Sequence, residues 1–216
     1  VFLALSGTSR PLGALLFAVG LFTICTYGFA LFTGRACYIF DNRPGYLVTL
    51  VVIWVGNLIG AAAMAAIAGA TRLGPAFSEA AAALCDTKLA DSWGSLFFLG
   101  VLCNLLIYIA VEGYKTCPYE LGKYLSILFG VVVFILTGTE HSVADMYYFA
   151  MAGKLFAARS LGVLAVISLG NVCGGLILPL LPNISMTAFA AKGGTVTGLA
   201  DENIGLSFSG DAEDAW

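Results

Sequence analysis

The stretch from Thr137 to Met146, Thr-Gly-Thr-Glu-His-Ser-Val-Ala-Asp-Met, holds the residues best suited to chemistry. It contains the single histidine of the chain, His141, together with Glu140 and Asp145, inside an apolar segment that begins near Tyr124. Ionisable groups are costly within a bilayer, so a cluster of this kind generally marks a substrate pathway or a proton relay. The alternative is structural, with His141 as a helix-packing residue that hydrogen-bonds to Glu140.

Composition places these residues in a membrane protein. Hydrophobic residues make up 60% of the 216-residue chain and charged residues 11%, which excludes a soluble domain. The net charge of -3 comes without a basic cluster, so we expect no nucleic-acid partner. There is no haem-ligand histidine pair, nucleotide loop or catalytic triad, and we predict neither an enzyme nor a cofactor. Six cysteines are interpreted as small buried residues rather than as a disulfide or metal framework.

Five apolar segments are long enough to cross a bilayer, which takes roughly 20 apolar residues for each span. They are Leu12 to Ala30, Tyr46 to Ala70, Ser92 to Tyr114, Tyr119 to Phe149 and Ser160 to Leu181. A short amphipathic helix is predicted over Pro75 to Leu84. We expect one transmembrane domain over residues 1–182 and a polar, flexible tail over residues 183–216.

Two of the five spans are expected to be interrupted. The segment from Tyr119 to Phe149 has about 31 residues, too many for a straight helix across a core of about 30 Å at a rise of 1.5 Å per residue. A break at Gly138 to Ser142 solves this problem. After the first span, the apolar run continues through Leu31-Phe-Thr33 until Gly34 and Arg35 interrupt it, and it resumes at residues 36–40, although a simple helix end explains this pattern equally well.

A repeated phrase strengthens both breaks. Gly56-Asn-Leu-Ile-Gly-Ala61 and Gly170-Asn-Val-Cys-Gly-Gly175 each follow an interrupted span. Paired interrupted segments in two halves of a chain indicate a repeat with the substrate site at the interface of the halves. Each repeat has one plain, one broken and one Gly-Asn helix, and this odd number requires the halves to be inverted in the membrane. The apolar run at Val1 to Leu5 is then the cut end of a largely missing first helix.

Taken together, these motifs resemble the formate/nitrite transporter family, and the likeness extends from Val1 to about Leu181. The matching motifs, in order and at family-like spacing, are Leu31-Phe-Thr33, the phrase ending at Ala61, Leu102-Cys-Asn104, Glu140-His-Ser-Val-Ala144 with Met146, and the phrase ending at Gly175. The resemblance implies an all-α membrane protein with an aquaporin-like six-helix bundle, built from two inverted three-helix repeats with two broken helices. It also implies a homopentamer in the cell inner (plasma) membrane that passes formate, nitrite, hydrosulfide or lactate.

The resemblance also implies roles for particular residues. The outer hydrophobic slit corresponds to Phe17, Leu21 and Phe134, and the inner one to Leu31, Phe32 and Ile107. The substrate pathway corresponds to Thr33, His141, Asn104, Glu140 and Lys88, with Lys88 as the lysine of the vestibule.

Three positions depart from the family pattern. Ala30 stands where an acid often precedes Leu-Phe-Thr, Asp145 stands where Asn is common, and Glu112 replaces an apolar or aromatic residue.

We hypothesise a mechanism in which an anion sheds its water between the slits, at a cost of many kcal/mol when it travels bare. Lys88 attracts the anion, and His141 with Thr33 donates a hydrogen bond or a proton. The alternative function is an aquaporin-like channel for water or small neutral solutes. The ionisable cluster and the absence of an Asn-Pro-Ala pair count against this alternative.

Overall fold

The computed structural model describes residues 9–191, and the surroundings of side chains for residues 9–181. Eight helices and no strand occur in this part of the chain. Five of these helices are long and apolar enough to cross a membrane. The helices are α1 (Arg10–Tyr27), α2 (Phe32–Ala36), α3 (Tyr46–Gly69), α4 (Gly74–Ala90), α5 (Trp93–Thr116), α6 (Glu120–Thr137), α7 (Ser142–Met151) and α8 (Ala158–Ala191).

The five predicted spans are confirmed, with shifts at their ends. The first span ends at Tyr27 rather than at Ala30, and α8 continues to Ala191 instead of ending near Leu181. The predicted amphipathic helix is longer than expected, because α4 extends to Ala90 and so includes Lys88. The apolar run at residues 1–5 and the part of the predicted tail from residue 192 onward lie outside the described residues.

Both interrupted spans are broken, but the predicted position of the first break was wrong. The second break lies between Thr137 and Ser142, as expected, and Gly138 takes the left-handed conformation with φ 74°. The first break lies at residues 28–31, where Gly28 has φ 71°. Left-handed backbone favours glycine and commonly ends a helix. Gly34, the expected interruption, lies within the short helix α2.

The two broken helices pack against each other. Along α1 and α6, Phe17 contacts Phe134 and Phe22 contacts Tyr124, which is the order of an antiparallel pair. The short helices α2 and α7 are also in contact, while α2 packs on α8 and α7 packs on α3. The two breaks therefore meet in the interior of the helix bundle.

The glycines of the second Gly-Asn phrase allow α8 to pack against α5 with the two helix backbones in direct contact. A Cβ atom on Gly170 would lie 2.2 Å from the carbonyl oxygen of Phe97, and one on Gly174 would lie 2.0 Å from that of Val101. Only glycine fits at such contacts between membrane helices. The corresponding glycines of α3, Gly56 and Gly60, have no atom within 4 Å of an added Cβ among the described residues.

Candidate functional site

The asparagine of each repeated phrase holds the backbone of one break. Asn57 Oδ1 accepts a hydrogen bond from the Phe32 N–H at 2.9 Å, and Asn57 Nδ2 donates to the Ala30 carbonyl at 3.0 Å. Asn171 Oδ1 likewise accepts from the Ser142 N–H at 3.0 Å. Asn171 Nδ2 donates to the carbonyl oxygens of Glu140 and Gly100, both at 2.9 Å. Both breaks thus have the same support, and backbone groups that lost their helical partners are satisfied.

Ala30 is compatible with this arrangement, although an acid is common at its position. Asn57 contacts the Ala30 carbonyl and not its side chain. The first break therefore keeps its hydrogen bonds without a carboxylate, and α2 starts at Phe32 with Thr33 in its first turn.

Thr33 and His141 lie next to each other across the two breaks. Thr33 Oγ1 and His141 Nε2 are 2.9 Å apart, Thr33 is fully buried and His141 is 8% exposed. The other ring nitrogen of His141 caps α7, because Nδ1 accepts a hydrogen bond from the Ala144 N–H at 3.1 Å. A neutral imidazole that accepts at Nδ1 carries its proton on Nε2. His141 therefore donates to the Thr33 hydroxyl. The structural alternative, a hydrogen bond from the His141 side chain to Glu140, does not occur among the described residues.

Apolar side chains surround this pair. The Phe134 ring stacks on the His141 ring with centroids 5.8 Å apart, and the Phe17 ring meets Phe134 edge-on at 6.1 Å. Phe17 and Phe134, predicted to share one slit, are therefore neighbours on one side of His141.

The other predicted slit residues are buried in the same region. Leu21 and Leu31, assigned to different slits, line one pocket that is open to solvent and is also lined by Val111. Phe32 and Ile107 are buried as well. The division of these six side chains into two slits stays a prediction.

Lys88 is paired with two carboxylates rather than free. Its Nζ hydrogen-bonds to Glu140 Oε2 and lies 3.0 Å from Asp145 Oδ1. Burial disfavours the charge on Lys88, but the nearby Asp145 and Glu140 outweigh this effect and raise the pKa of its ammonium group. Lys88 therefore carries its positive charge within a buried triad.

Asn104 connects the two halves through their backbones. Its Nδ2 donates to the Thr33 carbonyl at 3.0 Å and to the Asn171 carbonyl at 2.7 Å. Its Oδ1 is buried and has no hydrogen-bond partner among the described residues. The predicted polar neighbour of the pathway thus positions the turn of α2 that carries Thr33.

Two residues that were not among the predicted site residues contact members of that set. Asn171 supports the second break, and the repeated Gly-Asn phrase was the available signal for this role. Asp145 completes the triad around Lys88, and its presence within the ionisable cluster was its signal.

Two other predicted features lie outside this site. Glu112 accepts a hydrogen bond from the Tyr38 hydroxyl at 2.7 Å. The six cysteines are free, and four are buried as expected, whereas Cys117 is half-buried and Cys173 is exposed.

The sequence and the fold both match known transport proteins. The family model described as formate/nitrite transporter matches residues 2–185. A probable formate transporter of Methanothermobacter thermautotrophicus is 29% identical over 189 residues, covering 74% of this chain and 69% of that protein. The nitrite transporter NirC of Escherichia coli is 28% identical over 177 residues, covering 74% of this chain and 65% of NirC.

A solved structure shares the helical fold. A pentameric formate channel with formate bound superposes with a TM-score of 0.67 at 23% identity, covering 86% of this chain and 84% of the channel chain. The similar proteins are channels and transporters rather than enzymes, and the apolar helices indicate a multi-pass membrane protein. Because the family model covers most of its length, the chain belongs to the formate/nitrite transporter family.

Proposed function

We propose that this protein is a membrane channel or transporter for small monovalent anions, with formate or nitrite as the first candidates. The observation that carries the proposal is the buried hydrogen bond between Thr33 and His141, which joins the two breaks beside the Phe134 ring. The names of the relatives, a probable formate transporter and a nitrite transporter, support this choice of substrates. Hydrosulfide and lactate belong to the same class of small anions.

The proposed pathway offers hydrogen-bond donors where an anion has lost its water. His141 donates through Nε2 to the Thr33 oxygen, which leaves the hydroxyl proton of Thr33 available to an anion. Desolvating an ion without compensating donors costs many kcal/mol, so even one or two donors between apolar side chains lower the barrier substantially. In this mechanism Thr33 and His141 replace part of the hydration shell.

The cap on α7 bears on whether His141 also supplies a proton. Protonating the neutral ring requires a proton on Nδ1, where the Ala144 N–H already donates. Forming an imidazolium therefore removes the hydrogen bond that caps α7. Losing a side-chain cap typically costs about 1 kcal/mol of helix stability. We infer that His141 acts chiefly as a neutral hydrogen-bond donor, and that co-transport of a proton through its ring requires the cap to open.

The proposed assembly follows the sequence pattern and the matched fold. We propose that α1 to α3 and α5 to α8 belong to two inverted repeats of an aquaporin-like bundle, because Asn57 and Asn171 support their breaks in the same way. We also propose a homopentamer with one pore per subunit in the cell inner membrane. The match to a pentameric formate channel supports the number of subunits.

Anion flux into proteoliposomes tests this function. We expect the parent protein to take up formate and nitrite, and His141→Phe to reduce this uptake by at least about tenfold, because the variant keeps an aromatic ring but no donor. Tyr119→Phe, at an exposed position before α6, is the aromatic control and keeps the parent's flux. Unchanged anion flux in His141→Phe would exclude the proposed pathway.

The same assay separates the remaining alternatives. If His141 supplies a proton, the residual flux of His141→Phe loses the pH dependence of the parent protein. If that pH dependence is unchanged, the role of His141 as a proton donor is excluded. Liposomes that swell in glycerol but take up no formate or nitrite would identify a channel for neutral solutes.

A further inference from the structure

Two carboxyl groups share one ammonium group beside the second break. Lys88 Nζ contacts both Glu140 and Asp145, so the two carboxyl groups are neighbours around one ammonium group. Asp145 is 1% exposed, and its Oδ2 atom has no hydrogen-bond donor among the described residues. The triad is therefore an ion pair with one additional carboxyl group.

Charge and hydrogen bonding both require a proton here. With both carboxylates ionised, the triad has a net charge of -1 in a site nearly closed to water, and uncompensated buried charge is strongly unfavourable. Two adjacent carboxylates generally hold one proton between them. A single proton makes this triad neutral and provides the donor that the Glu140–Asp145 pair otherwise lacks.

We propose that the Glu140–Asp145 pair holds one exchangeable proton, and that losing this proton makes the triad negative and hinders anions from reaching His141. This inference rests on the proposed anion transport. Glu140 directly precedes His141, so the charge of the pair acts at the centre of the proposed pathway. The sign follows directly: the neutral triad admits anions at low pH, and flux falls as the pH rises through the titration of the pair.

Among the described residues, Lys88 is the cation that contacts this pair of carboxyl groups. Thiols and phenols are neutral near pH 7. Of the helices that pack on α7, α3 has Tyr46 bonded to the Arg35 carbonyl, and α8 has Arg159 bonded to the Leu89 and Asp91 carbonyls. The described titratable groups that lie near Asp145 are Lys88 and Cys85 of α4, Cys103 of α5, Tyr148 of α7, and Glu140 of the break.

Asp145→Asn tests the inference, because an amide imitates the neutral acid and cannot lose a proton. We measure initial formate uptake into proteoliposomes from acidic to alkaline pH and subtract the uptake of empty liposomes. We expect the parent flux to fall with rising pH. In Asp145→Asn we expect the ratio of the flux at acidic pH to the flux at alkaline pH to shrink roughly fivefold or more, because the variant lacks the negative charge that repels the anion at short range. A pH profile identical to that of the parent would overturn the inference.

Asp86→Asn is the matched control. Like Asp145→Asn, it removes one carboxylate. Asp86 lies on the same helix as Lys88, but it is exposed and pairs with Lys154. We expect its pH profile to follow the parent profile. A change as large as that of Asp145→Asn would show a general surface-charge effect and would overturn the role of the buried pair.

Infrared spectroscopy tests the proton without transport. We expect the purified parent protein at neutral pH to show a carboxylic acid C=O band that shifts in ²H₂O and is absent from Asp145→Asn. A band that persists in Asp145→Asn, or no such band in the parent protein, would overturn the inference. If the parent carries no anion at any pH, the proposed function fails, and the infrared result still decides whether the pair holds a proton.

Discussion

At the scale of single residues, His141 has both ring nitrogens engaged in different tasks. Nδ1 accepts from the first turn of α7, which fixes the ring and its tautomer, and Nε2 points to Thr33. A histidine held in this way is preorganised as a donor and does not need to reorient when a ligand arrives. Thr33 in turn accepts from His141 through its hydroxyl oxygen, so in the proposed pathway its own hydroxyl proton is the donor offered to an anion.

Thr33→Val tests the donor pair at this scale. Valine keeps the shape of threonine but removes the hydroxyl, and we expect formate flux to fall about tenfold, the rate equivalent of roughly 1.4 kcal/mol. The measurement is initial uptake per reconstituted protein. The control is Thr116→Val, since the exposed Thr116 hydroxyl only bonds to the carbonyl of its own helix. Flux in Thr33→Val equal to that of the control would contradict the role of the hydroxyl.

Much of the site at this scale was predictable from the sequence, and the exceptions have physical reasons. The cost of ionisable groups in a membrane pointed to His141 and Glu140, the repeat pointed to the interface of the two halves, and the family resemblance named Thr33. The pairing of Lys88 was not predictable, because α4 was expected to end at Leu84. Its continuation to Ala90 makes Lys88 a helical residue beside α7, one turn after the buried Cys85.

At the scale of helices, glycine conformation decides where the spans break. The charge next to Gly34 favoured a break there, just after the first span. The structure breaks the helix at Gly28, where the chain needs left-handed backbone, and keeps Gly34 helical against Val111. Local composition could not distinguish these two glycines, since the difference lies in what each one packs against.

The contact between α5 and α8 gives a second prediction. Gly174→Ala places a methyl group 2.0 Å from the Val101 carbonyl, and neither helix backbone can yield easily. We expect a clear loss of heat stability, of about 1–3 kcal/mol, measured as the fraction of detergent-solubilised protein that stays monodisperse after heating. Gly94→Ala, at an exposed position of α5 with nothing within 4 Å, serves as the control. Equal stability of the two variants would contradict a direct backbone contact between α5 and α8.

At the scale of the whole molecule, the outer surface of the single chain is strongly apolar. The 24-residue helix α3 buries only Leu50 and Ala65, and large side chains such as Val48, Val52 and Ile59 are exposed. Apolar exposure of this extent requires lipid or neighbouring subunits around the helix bundle.

The proposed homopentamer is tested by native mass spectrometry in mild detergent. We expect a complex of five times the 22.5 kDa chain, and the single-chain mass after denaturation as the control. A monomer, or a complex of another number, would contradict the proposed assembly while leaving the site within each chain unaffected. The number of subunits was not predictable from apolar faces alone, because lipid and protein contacts select similar residues.

The asparagine supports of the two breaks have an evolutionary consequence. The hydrogen bonds of the Asn57 and Asn171 side chains go to backbone atoms at residues 30, 32, 140 and 142 and at Gly100. Side-chain substitutions at residues 30, 32, 140 and 142 therefore leave these backbone hydrogen bonds available, so the two halves of the proposed repeat can differ in chemistry at the breaks. The first break carries the apolar Ala30-Leu31-Phe32, while the second carries Glu140-His141-Ser142. For the proposed repeat, a symmetric scaffold with asymmetric chemistry is the expected outcome, since a change of side chain at these positions alters the proposed pathway without removing the asparagine supports.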